Sequence, residues 1–551
     1  MGVPSIELEI LRTTLAACPE ELGAVLANTA PTAQISQDRE YAVAIADPAG
    51  AVVATDNPLQ LASMARTISR VAGYFEFDVG DGDVVLTNDP YAGGTQLTDI
   101  TLVTPLMADD RLVAFVAVRV RVGDVGGQVG GNLNPDATEL LAEGHPYPPV
   151  KIRRGGKPVR DMRYAFLLNG RRMTETRRTL DAATATLELG LRRLRELIGR
   201  HGAETVRAAL GYALDYSEQL TSKAIQGWTR GTYEGTRVLD LGEPVTVRLT
   251  ATVADGHVVL DFSGSGDQLP LFVNSSAGTT ASRAVGAVFA LLTGEIPATS
   301  GVLRAVRVLT RPGSVVHPIA PAPVGWGGAH CGNEVTEVVA ATLRQAGAGP
   351  APALTVPQPL VLSRPAADRS DQLDLGRWGI GGAGAVAGRD GWGPPQLATR
   401  GQLHSVEHWE SEHDMRIERM EFVVDSAGAG RWRGASAVEA ALQLAPDRRY
   451  TLWTGTIGDS VAGQQGGGAG EPGAIAFHTI EGWQPAPLTA TETAIDADRV
   501  LLRLAGGGGF GDPAERDREA VIDDLADGLI SEQAAHEVYG LTAADLGGRD
   551  D

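Results

Sequence analysis

The sequence predicts an α+β protein, with a multi-layer mixed α/β N-terminal and central region followed by a Gly-rich, mostly β region that ends in helices. Three observations predict it. Helix-period stretches at Ser5–Leu26 and Arg172–Trp228 alternate with apolar runs of strand length, such as Tyr41–Ala46 and Ile100–Leu106. Glycine is abundant, 69 of 551 residues, and its excess falls late, among short strands. The chain then returns to helix, with capping residues at Asp512 and Ser531. Composition shifts near 230 and 350 suggest three regions: 1–230, carrying the candidate site, 231–350, and 351–551.

In order, Ser5–Leu26 carries Ile6, Leu8, Ile10, Leu11, Leu15, Leu22 and Leu26 at helical spacing, with Pro19 marking a break or a fresh start. Tyr41–Ala46 and Ala51–Ala54 read as a hairpin around Asp47-Pro48-Ala49-Gly50. Leu61–Phe77 reads as a helix. The loop Thr87–Asp99 lies between apolar strands, with Asn-Asp-Pro starting a turn and Gly93-Gly94 folding it back, so polar groups converge at strand ends. Arg172–Trp228 contains at least two helices separated by Gly199, Gly202 or Gly211; its arginines alternate with Glu175, Asp181, Glu188 and Glu196, as on a solvated, ion-paired face. Strands at Gly231–Leu239, Val245–Val253 and His257–Phe262 precede helices at Ala277–Leu292 and Glu334–Ala346. Near the end, helices are expected at Ala514–Leu525 and after Ser531.

The formal charge of −21, from 47 Lys+Arg against 68 Asp+Glu, argues against nucleic acid or an anionic membrane as the main partner. Two cysteines, Cys18 and Cys331, make no disulfide framework. No leader-like segment or membrane-length run is evident, so a cytoplasmic protein is expected. Three strings look chemical, and for each the structural reading is favoured, a ligand role other than a protease-type zinc site staying open for the histidine cluster. Gly506-Gly-Gly-Gly-Phe-Gly lacks the Lys-Ser/Thr of a phosphate loop and reads as a structural glycine turn. His330-Cys331 precedes a helix, but an inert thiol is favoured over an activated one. His404-Ser-Val-Glu407-His408, with His413 behind it, would need a helix to chelate zinc, whereas the residues around it suggest extended chain.

Longer motifs then support a family. Asn88-Asp-Pro-Tyr-Ala-Gly-Gly-Thr with Leu97 and Asp99 resembles N-D-P-Y-x-G-G-T-H-x-x-D of the hydantoinase B/oxoprolinase family. Asp124-Val-Gly-Gly resembles its H-x-x-D-V-G-G, and Glu143-Gly with Pro148-Pro-Val-Lys151 its E-G-x-x-x-P-P-V-K. Arg416-Ile-Glu-Arg-Met-Glu-Phe, with Asp425-Ser-Ala-Gly-Ala-Gly-Arg-Trp-Arg-Gly434, and the segment from Gly506 through Ser531 are similar to later family blocks. The resemblance implies the β-type subunit of an ATP-dependent amidohydrolase that opens a lactam or cyclic imide C–N bond. ATP would be bound by a hydantoinase A-type partner subunit in a hetero-oligomer, and the substrate would be a small molecule. The same resemblance leaves open a subunit of an acetone or acetophenone carboxylase-like enzyme, or a catalytically degenerate structural subunit.

The resemblance also implies a metal site of Asp and His that would polarise substrate and activate water. This sequence departs from it at the imidazoles: Gln96 stands where the family has His, Arg121 occupies the His position before Asp124-Val-Gly-Gly, and a third His is replaced within Asn57-Pro-Leu-Gln-Leu-Ala-Ser-Met64. Asp47, Asp99 and Asp124 remain, and the sequence suggests that they meet in one pocket. The candidate catalytic residues are therefore Asp99, Asp124, Arg121 and Gln96. Asp47 and Asp99 are the remaining candidate ligands for a hard divalent metal such as Mg²⁺, in place of the family's zinc-type set. Arg121 could instead clamp bicarbonate or phosphate, pairing with Asp47 or Asp99 when empty.

Overall fold

The structure is a computed structural model, and it describes residues 5–76, 78–239, 244–349, 360–363, 372–374, 381–393, 405–412, 415–444, 449–453, 460–542 and 545. The chain forms two compact units, residues 1–349 with 400–402, and the remainder. The sequence regions 1–230 and 231–350 lie almost wholly in the first unit.

The first unit is built on a seven-stranded antiparallel sheet of order β2-β1-β5-β4-β3-β6-β7. Helix α1 (Ser5–Thr29) runs unbroken through Pro19, which is buried inside it, so the expected break is absent. A short α2 (Ala33–Ser36) leads to the hairpin β1 (Tyr41–Ala46) and β2 (Val52–Thr55). Next come α3 (Leu61–Tyr74), β3 (Val84–Thr87), β4 (Asp99–Ala108) and β5 (Arg111–Arg121). Strand β5, buried over nearly its whole length, is central because almost every residue from Val113 to Val120 is apolar. In sequence, helices α4 (Leu140–Glu143) and α5 (Arg160–Leu168) flank β6 (Val150–Arg154) and the edge strand β7 (Lys157–Pro158).

Helices α6 (Met173–His201) and α7 (Ala203–Ile225) break at Gly202, whose φ of 84° stops the first helix; Gly199 and Gly211 sit inside the helices. Some of the arginines there pair with carboxylates, Arg172 with Glu175 at 3.3 Å and Arg193 with Glu21 at 2.6 Å, and Asp181 pairs with Arg163 of α5 at 2.5 Å. Leu11, Leu15 and Leu22 of α1 pack with Leu187 and Leu194 of α6 and with the sheet in one apolar core.

Strands β8 (Gly231–Leu239), β9 (Val245–Ala254) and β10 (His257–Asp261) form an antiparallel set that β11 (Val306–Leu309) extends in parallel. Helices α8 (Ala277–Leu291), α9 (Ser300–Ala305) and α10 (Gly332–Arg344) belong to the same unit.

In the second unit, β12 (Leu360–Ser363) and β13 (Gln372–Asp374) enter a four-stranded sheet of order β13-β12-β16-β19. Helix α11 (Val406–Glu412) corrects the extended chain expected around His404-Ser-Val-Glu407-His408: Trp409, only 1% exposed, anchors it in the unit's apolar core. His404 and His413 lie outside the described residues. A five-stranded sheet, β14-β15-β20-β17-β18, comprises β14 (Met415–Phe422), β15 (Val438–Leu444), β17 (Ala474–Thr479), β18 (Gly482–Pro485) and β20 (Arg499–Arg503). Strands β16 (Arg449–Trp453) and β19 (Thr489–Ala494) complete the other sheet. Asp512 caps only a 3₁₀ turn, and Asp517 caps α12 (Arg518–Ala526), four residues later than the Ala514 start expected; α13 (Glu532–Glu537) is capped by Ser531. Among the described residues no helix is long and apolar enough to cross a membrane.

Candidate functional site

The loop Asn88–Thr98 connects β3 to β4 at the end of the large sheet, as its turn residues predict. Asp89 accepts a hydrogen bond from Tyr91 N (2.9 Å), which starts a 3₁₀ turn, and Gly93 follows at φ 96°. Asn88 ties the loop to its neighbours, donating to Leu97 O at 2.9 Å and accepting from Tyr147 N at 2.6 Å. This brings Thr95, Gln96 and Asp99 against the end of β5.

Arg121 is the centre of what converges there. It sits directly opposite Asp99 across the β4–β5 ladder. Its Nε donates to Asp99 Oδ1 at 2.9 Å, its Nη2 to Asp99 Oδ2 at 3.3 Å and its Nη1 to Glu40 Oε1 at 2.8 Å. Thr95 Oγ1 also donates to Asp99 Oδ2. Oriented by its hydrogen-bond network, Gln96 accepts from Arg121 Nη2 at 2.8 Å and donates to Gly325 O at 3.1 Å. Burial alone would raise the Asp99 carboxyl, but the Arg121 charge and its hydrogen bonds outweigh it and hold Asp99 below the usual carboxylate range.

Two residues earlier on the same face of β5, Arg119 is fully enclosed. It donates to Thr101 Oγ1 (2.9 Å) on β4 and to Gln60 Oε1 (2.9 Å), Ser63 Oγ (2.7 Å) and Thr67 Oγ1 (2.9 Å) around α3. Burial pushes it down to about 10 while Asp99 pulls it up, so it stays charged at neutral pH. Arg283 on α8 is likewise held down at about 10, first by burial and then by the nearby Arg121 charge. It donates to Gly328 O at 2.6 Å.

The candidate residues therefore separate. Arg121, Asp99 and Gln96 form one bonded group. Asp124 belongs to the next loop, where Oδ1 accepts from Gly126 N and Arg171 N (both 2.9 Å) and Oδ2 from Gly131 N (3.1 Å) and Arg171 Nη1 (3.0 Å). It holds that loop in shape. Asp47 is at the other end of the sheet: Ala46 faces Phe115 on β5, six residues from Arg121, a separation of about 20 Å. There it accepts from Ala49 N (2.9 Å) and Ala51 N (2.8 Å) and closes its own hairpin turn. The expected pocket of three carboxylates does not form, and Asp47 and Asp99 cannot share an ion.

Nor do the residues present fit the metal that the family resemblance implied. Gln60, Gln96 and Arg121 fill the three imidazole positions, and both glutamines accept from guanidinium groups. No group of three His, Cys, Asp or Glu able to hold a metal occurs among the described residues. Cys331, wholly buried, is pushed well above its ordinary value by burial, as an inert thiol should be.

Sequence reasoning missed Glu40, Arg119, Arg283 and Glu143. A signal for Arg119 was present: Arg119-Val-Arg121 puts two charges on one face of a strand that is otherwise apolar. Glu143, from the Glu143-Gly motif, is 2% exposed and accepts from Val324 N (2.9 Å) and Gly325 N (2.8 Å). Burial pushes it up to about 8 against those two donors. A side chain at Gly325 would start 2.9 Å from Glu143 Oε1, so a larger residue would have to push the carboxyl aside.

Comparison with known proteins concerns the chain as a whole. A sequence model described as Hydantoinase B/oxoprolinase matches residues 4–513. The caprolactamase subunit beta of Pseudomonas jessenii is 28% identical, over 98% of this chain and 96% of that one. The crystal structure of the ATP-dependent caprolactamase from Pseudomonas jessenii matches with a TM-score of 0.88 at 25% identity, covering 99% and 98% of the two chains. A nucleotide-free acetone carboxylase structure shares the fold, with a TM-score of 0.85 at 18% identity, covering 98% of this chain and 79% of that one.

Proposed function

The chain belongs to the hydantoinase B/oxoprolinase family, and from that premise we propose that it is the β-type subunit of an ATP-dependent amidohydrolase opening a lactam or cyclic imide. Its nucleotide would be bound by a hydantoinase A-type partner. The observation that carries this reading is the end-to-end likeness to a protein named caprolactamase subunit beta.

The chemistry assigned to this chain is electrostatic. Arg121, with Arg119 and Arg283 behind it, supplies fixed positive charge toward an oxygen that becomes anionic when an amide is activated and attacked. Asp99 aligns the guanidinium. Held below the usual carboxylate range and bonded on both oxygens, it is a positioning residue and a poor proton acceptor. Gln96 fixes the remaining side of Arg121 and links it to Gly325. No step is routed through a metal on this chain.

A second reading has a specific observation in its favour. With Arg121 already bonded to Glu40, Asp99 and Gln96, the subunit could keep the fold and its partner without turning over substrate. The test is copurification with the A-type partner, followed by ATP hydrolysis measured with lactams, hydantoins, and ketones plus bicarbonate. Mg²⁺ is retained for the nucleotide while 1,10-phenanthroline removes transition metals. Turnover stimulated by a cyclic amide, insensitive to the chelator and reduced about 100-fold or more by Arg121→Ala, is expected. Stimulation by ketone and bicarbonate alone would assign a carboxylase instead. An intact complex silent toward every substrate would assign the degenerate subunit.

A further inference from the structure

On the opposite side of α3 from Arg119 lies a cleft of about 940 Å³, between α3, the turn at Pro90–Ala92, α8, α9 and β11. Gln60, Ser63 and Thr67 serve Arg119, whereas Ala62, Ala65, Arg66 and Ser69 line the cleft. The helical repeat turns Ala62, Ala65 and Ser69 away from Ser63 and Thr67, with Arg66 and Arg70 at the border between the two faces. The wall is largely aliphatic, including Ala281 and Val285 of α8, Leu303 of α9, and Val308 of β11.

Three arginines interrupt that wall. Arg66 and Arg70 are one turn apart on α3, and Arg307 enters from β11. Among the described residues, none of the three makes a hydrogen bond or ion pair, and no lining residue is acidic. Asp89 is within electrostatic reach of Arg70, but it is not part of the wall and its Oδ1 is bonded to Tyr91 N. All three arginines are exposed, as are others of this chain such as Arg177, Arg178 and Arg192; what sets these three apart is that they line one cleft. Like charges four residues apart on a helix also repel, so the pair on α3 costs stability unless an anion lies between them.

We propose that this cleft binds a small organic phosphate, with its phosphoryl group among Arg66, Arg70 and Arg307 and its carbon body along the aliphatic wall. The size fits a small-molecule site and far exceeds a bare anion. Three guanidinium forks suit a dianion with three equivalent oxygens better than a single carboxylate. The inference does not depend on the amidohydrolase reading, because it concerns other side chains and needs no turnover.

Isothermal titration calorimetry of the purified chain tests it, with phenyl phosphate as probe and inorganic phosphate and benzoate as separate arms. Phenyl phosphate should bind about tenfold tighter than either. Arg66→Gln and Arg307→Gln should each weaken it about tenfold, and the triple Arg66→Gln/Arg70→Gln/Arg307→Gln should abolish binding while leaving the thermal midpoint unchanged or raised. Equal binding of all three probes, no heat with phenyl phosphate, or undiminished affinity in the folded triple variant would overturn the proposal. So would a triple variant that loses only the copurified partner subunit, since the cleft would then be a protein-docking face.

Discussion

The two units hold their polar and irregular chain together by opposite means. Around Arg121, side chains do the holding: one guanidinium joins Asp99, Glu40 and Gln96, and Arg119 is enclosed by four neutral oxygens. In the second unit the glycine-rich segments Gly428–Gly430, Gly463–Gly470 and Gly506–Gly511 lie backbone against backbone. Gly428 N donates to Gly507 O, Gly507 N to Ala435 O and Gly509 N to Gly468 O, at 2.8 to 2.9 Å. Even the charges there are closed off: Arg516 bonds Asp390 and Asp524 at 2.8 Å, and Arg433 bonds Asp524 at 3.1 Å, so each guanidinium meets a carboxylate. Arg119 meets none. The buried guanidiniums Arg433 and Arg516 of the second unit are each matched by a bonded carboxylate, while Arg119 at the sheet end of the first has only neutral partners, and that charge is what an anionic reaction centre could use.

The sharpest way to break the comparison is a single methyl. A Cβ at Gly507 would lie 2.0 Å from Ala383 O, a backbone atom that cannot swing aside. Gly507→Ala should therefore destabilise the second unit by about 4 kcal/mol or more, seen as a lost or strongly lowered thermal transition. The apolar core around Leu187 in the first unit should be untouched. A small shift would mean the glycines are there for turn chemistry alone.

The contrast also explains what could be read in advance. Strands β1, β4 and β5 announce themselves as continuous apolar runs because both their faces are buried, β8 and β9 by alternation, and α6 by an apolar stripe at helical spacing. The loop at Asn88–Asp99 and its pairing with Arg121 were legible through turn residues and family motifs. Asp47 was misplaced because a strand-end carboxylate looks the same whether it faces a site or closes its own turn; only the register along β5 tells them apart. Glu40 and Arg283 come from segments far apart in sequence, and nothing local marks them; Glu143 stood in a family motif, but nothing in the motif says that its carboxyl is buried against Val324 N and Gly325 N. Helix α11 was missed because Trp409 is fixed by tertiary packing, which outweighs the local alternation that suggested extended chain.

A smaller effect should follow from removing the guanidinium. Arg121→Met leaves Asp99 and Glu40 without their bonded cation, with Arg119 the nearby charge still acting on Asp99, and about 2–4 kcal/mol of stability should go at neutral pH. The pH dependence gives the sign. Asp99 has a folded value below its unfolded one, so its stabilisation is present above the unfolded value and is lost as pH falls through the depressed folded value. Chemical denaturation across acid pH should show wild type losing more than Arg121→Met as the acid is added. Parallel curves would mean that Asp99 is held down by something other than Arg121.

The smallest effect lies on the alkaline side, at Glu143. Burial raises this carboxyl from an ordinary 4.5 to about 8. Its sign is the reverse of that for Asp99: between those values the folded chain keeps a proton that the unfolded chain has released. The contribution is full below 4.5 and disappears as pH rises through about 8. Glu143→Gln removes the titration but places an amide donor against Val324 N or Gly325 N, so the variant should begin about 1–3 kcal/mol less stable. The thermal midpoint of wild type should then fall toward that of the variant between mildly acidic and mildly alkaline pH, with the variant itself nearly flat. A gap that stays constant would mean Glu143 is already ionised throughout and held by its two backbone donors. The charge at this end of the first unit would then be one unit more negative, and Arg121 would have less positive field to offer a substrate.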